Sequence, residues 1–181
     1  MSLADQLTLI RIAAVPVVVA LFVWDFPGHY WWATAVFIGA MTTDWFDGRV
    51  ARWRGRTSPL GSLLDPVADK VLVLTTLIML VDAGVVPGWM VAAIFAREFL
   101  VSGLRLAALE RGVVMPARDL GKLKTWSQAV AAAVGGFAAA GAWDDSVAWW
   151  ALLVAVVLTW VSGLDYARVA PGVLRGRPVS P

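Results

Sequence analysis

The chain has no cysteine and only one histidine, His29, among its 181 residues. Without cysteine it can form neither a disulfide framework nor a thiolate zinc site, and it has no cysteine nucleophile. The single histidine also excludes a histidine-rich metal site. Any metal bound here must therefore be held by carboxylate oxygens, which favour hard ions such as Mg²⁺, Mn²⁺ or Ca²⁺.

Charged residues are also scarce, at 15% of the chain, whereas hydrophobic residues make up 60%. Soluble globular domains carry about 25% charged and about 45–50% apolar residues. Disordered chains combine low hydrophobicity with high charge, which is the opposite of this composition. The composition therefore predicts one integral-membrane domain over residues 1–181, in agreement with the mean hydropathy of +0.74.

Apolar stretches separated by short polar turns predict the architecture. A membrane-spanning helix needs about 20 mainly apolar residues, and six stretches approach that length. We expect an all-α polytopic membrane protein, a bundle of six transmembrane helices with both termini in the cytoplasm. The predicted spans are 7–24, 30–44, 63–81, 88–109, 124–142 and 147–166.

The basic residues predict the orientation, because Lys and Arg concentrate in cytoplasmic loops. With a cytoplasmic N-terminus, all fifteen basic residues fall on the cytoplasmic side. An anionic leaflet explains these basic loops, so no nucleic-acid partner is expected. The charged residues of the outer turns are all acidic, namely Asp25, Asp82, Asp144 and Asp145.

Four carboxylates fall within residues 44–70 in two pairs, Asp44 with Asp47 and Asp65 with Asp69. Both spacings place the partners on one face of a helix. Each acid costs roughly 2.5–3.5 kcal/mol in a membrane even on the lenient insertion scale. One pair could merely end a helix and bind a neighbouring arginine. Two successive pairs favour a site for divalent cations.

Small residues lie between the two acid pairs, at Gly48, Ala51 and Gly61. They allow a bulky ligand to approach the backbone closely, although small residues also permit tight helix contacts in lipid. Arg52 lies one turn beyond Gly48 and can reach an anionic group near the carboxylates. Divalent cations beside a basic residue suit a diphosphate substrate, so we expect phosphoryl transfer at a membrane surface.

These residues resemble a known family, the CDP-alcohol phosphatidyltransferases. Its signature, Asp-x-x-Asp-Gly-x-x-Ala-Arg-x8-Gly-x3-Asp-x3-Asp, is met without a gap by Asp44, Asp47, Gly48, Ala51, Arg52, Gly61, Asp65 and Asp69. The resemblance implies a six-helix homodimer in which the four aspartates hold two Mg²⁺ or Mn²⁺ ions. It also implies transfer of a phosphatidyl group from CDP-diacylglycerol to an alcohol, with release of CMP.

Further stretches resemble the bacterial branch of the family that uses glycerol 3-phosphate as the acceptor. They are 7–11, 43–48, 64–70, 96–98, 102–105 and 121–125, while the branch's usual Pro-Asn is replaced by Ala4-Asp5. The resemblance implies a multi-pass protein of the bacterial inner membrane, with its active site near the cytoplasmic face. It also implies that Asp69 is the general base. The expected contacts to the CDP part are Asp44, Gly48, Ala51, Arg52 and Gly61.

Glycerol 3-phosphate carries about two negative charges, so its pocket should collect basic side chains on the cytoplasmic side. Arg97 and Glu98 lie together in the fourth span, where isolated charge is costly, and are expected to form an internal ion pair or to support the acceptor site. The best candidates for contact with the acceptor phosphate are Arg105, Lys122, Lys124 and Arg168.

Three other functions remain open from the sequence. A sister enzyme would use the same donor with phosphatidylglycerol, giving cardiolipin, or with inositol phosphate, and would differ only in its acceptor pocket. Membrane prenyltransferases also bind a diphosphate through aspartates, but their acid motifs lie far apart in the chain. A channel or transporter could use intramembrane acids to bind cations. Membrane lipids are expected partners of the phosphatidyltransferase.

Overall fold

The computed structural model describes the backbone of residues 3–54, 59–110 and 119–174 and the side chains of residues 8–42, 67–110 and 121–164. Over these ranges the chain forms six α-helices and no strand, which confirms the all-α prediction. In chain order they are α1 (Leu3–Val23), α2 (His29–Arg54), α3 (Pro59–Asp82), α4 (Gly88–Glu110), α5 (Asp119–Ala139) and α6 (Asp145–Leu174).

Each predicted span overlaps one helix, but the boundaries differ. α2 and α6 continue well beyond the predicted ends at 44 and 166. The reason is that hydropathy marks where an apolar stretch ends, whereas a helix continues as long as its backbone hydrogen bonds can form. The carboxylates Asp44 and Asp47 therefore fall inside α2.

Three tight turns join α1 to α2, α3 to α4 and α5 to α6. At the end of α3 the Gly84 N–H donates to the Val81 carbonyl and the Val85 N–H donates to the Leu80 carbonyl, both at 3.0 Å. This pair of bonds is a Schellman motif, which needs a left-handed residue. Each turn supplies a glycine in that conformation: Gly28 (φ 80°), Gly84 (φ 76°) and Gly141 (φ 75°).

Asp144 caps the N-terminus of α6. Its Oδ1 accepts a hydrogen bond from the Ser146 N–H at 2.9 Å. Hydrogen bonds from the Ser146 side chain and backbone hold the pKa of this carboxyl below its ordinary value of 3.8. The cap satisfies a helix N–H that would otherwise lack a partner, so it fixes where α6 begins.

The helices pack as a bundle. α1 packs against α2 and α3, α5 packs against α2, α3 and α6, and α4 packs against α3 and α6. Gly136 allows α5 to approach α2, because a side chain at this position would overlap Thr34. Fully buried apolar side chains at the centre include Val18, Phe37, Leu72, Leu77, Leu80, Met90, Ile94 and Leu152.

Within the described residues, one stretch is both long and apolar enough to cross a membrane. It is Asp145–Leu164 in α6, with a mean hydropathy of 2.1. Thr8–Val23 of α1 is also apolar but shorter. Charged side chains such as Arg97 and Glu98 lower the hydropathy of other helices. The six-span topology therefore stays a prediction.

Candidate active site

A cavity of about 360 Å³ lies between α3, α4 and α5. The predicted base Asp69 and three of the predicted phosphate ligands, Arg105, Lys122 and Lys124, line it together. They come from three helices, so only the packing of α3, α4 and α5 brings them to one place.

Basic residues outnumber acidic ones among the described side chains that line the cavity. These side chains include two carboxylates, those of Asp69 and Glu98, and five cations. Arg105 and Lys122 are exposed, whereas Arg97 and Lys124 are buried, so basic groups lie both at the rim and on the inner wall. Such a wall attracts a small anion from water and can hold it through charge-assisted hydrogen bonds. The five cations are Lys70, Arg97, Arg105, Lys122 and Lys124.

A hydrogen bond from Arg11 on α1 holds the side chain of Asp69 in place. The Nη1 of Arg11 donates to its Oδ1 at 2.6 Å. The Arg11 side chain is 2% exposed and that of Asp69 is 23% exposed. Asp69 therefore lies between a buried guanidinium and the open cavity, and part of its surface can meet a substrate.

Glu98 is the centre of a buried ionic network. Its Oε1 accepts hydrogen bonds from Lys124, from Arg97 Nη1 at 3.3 Å and from Gln128 Nε2 at 3.3 Å. Its Oε2 lies 3.6 Å from Lys70 Nζ. The predicted ion pair between Arg97 and Glu98 is present, but it is one contact of several. One carboxylate thus compensates cations from α3, α4 and α5.

Polar side chains on α6 complete this network. Ser162 Oγ accepts a hydrogen bond from Arg97 Nη2 at 2.9 Å, and Thr159 Oγ1 accepts one from Gln128 Nε2 at 2.7 Å. Gly163 leaves room for Arg97, since a Cβ there would lie 3.1 Å from Nε. The back wall of the cavity is therefore fixed by hydrogen bonds and close packing against α6.

Lys70 also reaches the cavity from α3. Its Nζ donates to Ser102 Oγ at 2.9 Å, and its side chain is 41% exposed. Lys70 directly follows Asp69, so the two side chains diverge from adjacent positions of one helix and both reach the cavity wall. An ammonium group is thereby placed near the predicted base.

The remaining predicted site residues lie outside the described side chains. Their backbones fall within α2, α3 and α6, but their contacts are not described, and Arg168 stays a predicted acceptor ligand. No group of three or more metal-ligating side chains occurs in the part whose side chains are described, and Asp69 is the one predicted metal ligand within it. The undescribed set is Asp44, Gly48, Asp47, Ala51, Arg52, Gly61, Asp65 and Arg168.

The sequence patterns indicate no role for Arg11 or Lys70 in the site, and they do not place Glu98 at the centre of a network. A signal existed for Arg11, since it is a lone charge inside an apolar stretch and intramembrane charges commonly pair. Its partner could not be read from the sequence, because Arg11 and Asp69 lie 58 positions apart.

Comparison with known proteins identifies the class of this chain. The CDP-alcohol phosphatidyltransferase family matches residues 1–161. The protein belongs to this family, which confirms the resemblance drawn from the aspartate motif.

Three similar proteins give a more specific comparison than the family does. The chain is 42% identical over 142 residues to the CDP-diacylglycerol–glycerol-3-phosphate 3-phosphatidyltransferase of Bacillus subtilis, covering 72% of this chain and 74% of that protein. It is 41% identical over 175 residues to a probable phosphatidylglycerophosphate synthase of Mycobacterium tuberculosis, covering 93% of this chain and 81% of that protein. It is 36% identical over 170 residues to the CDP-diacylglycerol–glycerol-3-phosphate 3-phosphatidyltransferase of Rickettsia bellii, covering 92% of this chain and 94% of that protein.

Proposed function

We propose that this protein transfers the phosphatidyl group of CDP-diacylglycerol to glycerol 3-phosphate, giving phosphatidylglycerophosphate and CMP. The observation that carries the proposal is the cavity in which Asp69 faces a group of basic side chains. The names of the bacterial relatives support the same donor and acceptor.

The acceptor would bind in the cavity through its phosphate. Arg105, Lys122 and Lys124 are the proposed ligands, together with Arg168, and Lys70 is a further cation on the same wall. Lys124 already donates to Glu98, which fixes the direction of its ammonium group. A volume of about 360 Å³ suits a small polar molecule such as glycerol 3-phosphate.

Asp69 would act as the general base. It accepts the proton of the acceptor hydroxyl as that oxygen attacks the phosphorus bearing the diacylglycerol. The bond between this phosphorus and the oxygen of CMP then breaks, and CMP leaves. The position of Asp69 beside the cationic wall supports this role, because the hydroxyl and the phosphate of one small acceptor can reach both.

The donor would bind through its diphosphate and cytidine. We expect Asp44, Asp47, Asp65 and Asp69 to hold two Mg²⁺ or Mn²⁺ ions, since carboxylate oxygens are ligands that these ions prefer. Such ions supply positive charge that stabilises a diphosphate and its leaving group. The expected contacts to the CDP part are Asp44, Gly48, Ala51, Arg52 and Gly61.

A location in the bacterial inner membrane fits the outer surface of the bundle. All six helices carry exposed large apolar side chains, for example Ile10 on α1, Phe99 on α4 and Val154 on α6. Apolar surface of this extent is unfavourable in water. We therefore place the six helices across the bilayer with the cavity near the cytoplasmic face, and we expect the homodimer typical of the family.

The direct test is CMP release by the purified protein with CDP-diacylglycerol, glycerol 3-phosphate and Mg²⁺. Asp69→Asn should lower kcat by roughly 10²–10⁴ because it removes the proton acceptor and keeps the side-chain shape. Arg105→Ala should raise KM for glycerol 3-phosphate by about 10- to 150-fold, the loss of one charged hydrogen bond, and leave KM for the donor unchanged.

Asp82→Asn is the matched control, since it makes the same change at the C-terminal end of α3, away from the cavity, and should keep full activity. EDTA should abolish turnover, and Mg²⁺ or Mn²⁺ should restore it. Faster turnover of inositol phosphate or phosphatidylglycerol would contradict the acceptor assignment. Absence of CMP with every acceptor would contradict the reaction.

A further inference from the structure

Arg11 is one of the largest fully buried side chains of the described residues, although it is charged. It lies on α1, a helix with exposed apolar neighbours such as Leu9, Ile10 and Ile12. Burial of a guanidinium is costly unless the group is paired and hydrogen-bonded. Replacing a buried pair by apolar side chains is often neutral or stabilising, so packing alone does not explain an arginine at this position.

One contact of Arg11 reaches the predicted base. Its Nη1 donates to Oδ1 of Asp69 at 2.6 Å, at the boundary between α1 and α3. A carboxylate is planar, so fixing the position of one oxygen also limits the direction of the other. The guanidinium is planar as well, and it holds a carboxylate in a defined orientation better than the flexible ammonium of lysine.

We propose that Arg11 is a positioning residue, which orients the Asp69 carboxylate toward the acceptor hydroxyl. This inference rests on the proposed role of Asp69 as the base. A base contributes fully only when it lies within hydrogen-bond reach of the proton it removes, in the right direction. Arg11 acts on the reaction through Asp69 and does not itself touch the substrate.

The test is a double-mutant cycle with Arg11→Lys and Asp69→Asn. Partners that orient a functional group typically cost about 10–100-fold in activity when lost, so Arg11→Lys should lower kcat by roughly this factor. KM for glycerol 3-phosphate should change by less than about twofold, since the acceptor phosphate has lost no contact. In the Asp69→Asn background the same change should cost less than about twofold, because no base remains to be oriented.

Arg11→Met, which removes the charge, should lose more activity than Arg11→Lys, and thermal unfolding of each variant reports whether it is folded. Val18→Ala is the control on α1. It removes core packing two turns from Arg11 without touching Asp69, so it should lower Tm and keep kcat.

The kcat and KM values of these variants distinguish a positioning role of Arg11 from a separate role. If Arg11→Lys lowers kcat equally with and without Asp69→Asn, Arg11 has a separate role and the inference is wrong. Unchanged kcat in a folded Arg11→Lys variant, or a change confined to KM, also overturns it. If Asp69→Asn itself keeps normal turnover, the assignment of the base fails, and the positioning role fails with it.

Discussion

Replacing Glu98 by glutamine tests the buried ionic network, because it removes the negative charge and keeps the side-chain shape. The carboxylate compensates Lys124 and Arg97, whose side chains are 8% and 4% exposed, and lies 3.6 Å from Lys70. Removing one partner of a buried ion pair costs about 3–5 kcal/mol, since the other charge stays buried without compensation. In a chain of this size each kcal/mol shifts Tm by about 2–4 °C, so we expect Tm to fall by roughly 6–20 °C.

The assay is thermal unfolding in detergent micelles, followed by the fluorescence of the eleven tryptophans. Glu110→Gln makes the same change at an exposed position of α4 and should leave Tm unchanged. Adding Lys124→Met to Glu98→Gln should recover part of the loss, because it removes one uncompensated cation. A fall of less than about 3 °C, or no recovery in the double variant, would show that Glu98 does not compensate these charges in the way described.

Two further predictions concern packing and topology. Gly163→Ala should destabilise the protein by about 1–3 kcal/mol, because its Cβ would crowd the hydrogen-bonded Arg97, whereas Gly103→Ala, which meets nothing within 4 Å, should not lower Tm. Because the chain lacks cysteine, single introduced cysteines can report the orientation of the helices when an impermeant thiol reagent is applied to intact cells. Labelling at residue 110, on the cytoplasmic side, without labelling at the three outer positions would overturn the proposed orientation. The variants expected to react from outside are Asp25→Cys, Asp82→Cys and Asp145→Cys, and the one expected to stay unreactive is Glu110→Cys.

The sequence alone determined the helical class, the six helices of the described ranges and the family. These properties depend on local patterns: apolar stretches of helical length, turns with glycine, and the aspartate motif within residues 44–69. Local patterns can be read without a fold because their residues are linked by one helix or one turn. The sequence also indicated Asp69, Arg105, Lys122 and Lys124 as site residues, and these line one cavity.

Only the tertiary structure decided which side chains meet. Arg11 contacts Asp69 across 58 positions, and Arg97 contacts Ser162 across 65. Such pairs depend on how whole helices pack, and helix packing is set by the shapes of many side chains together, which no local pattern records. The same packing makes Glu98 the partner of cations from three helices, whereas the sequence shows only its neighbour Arg97.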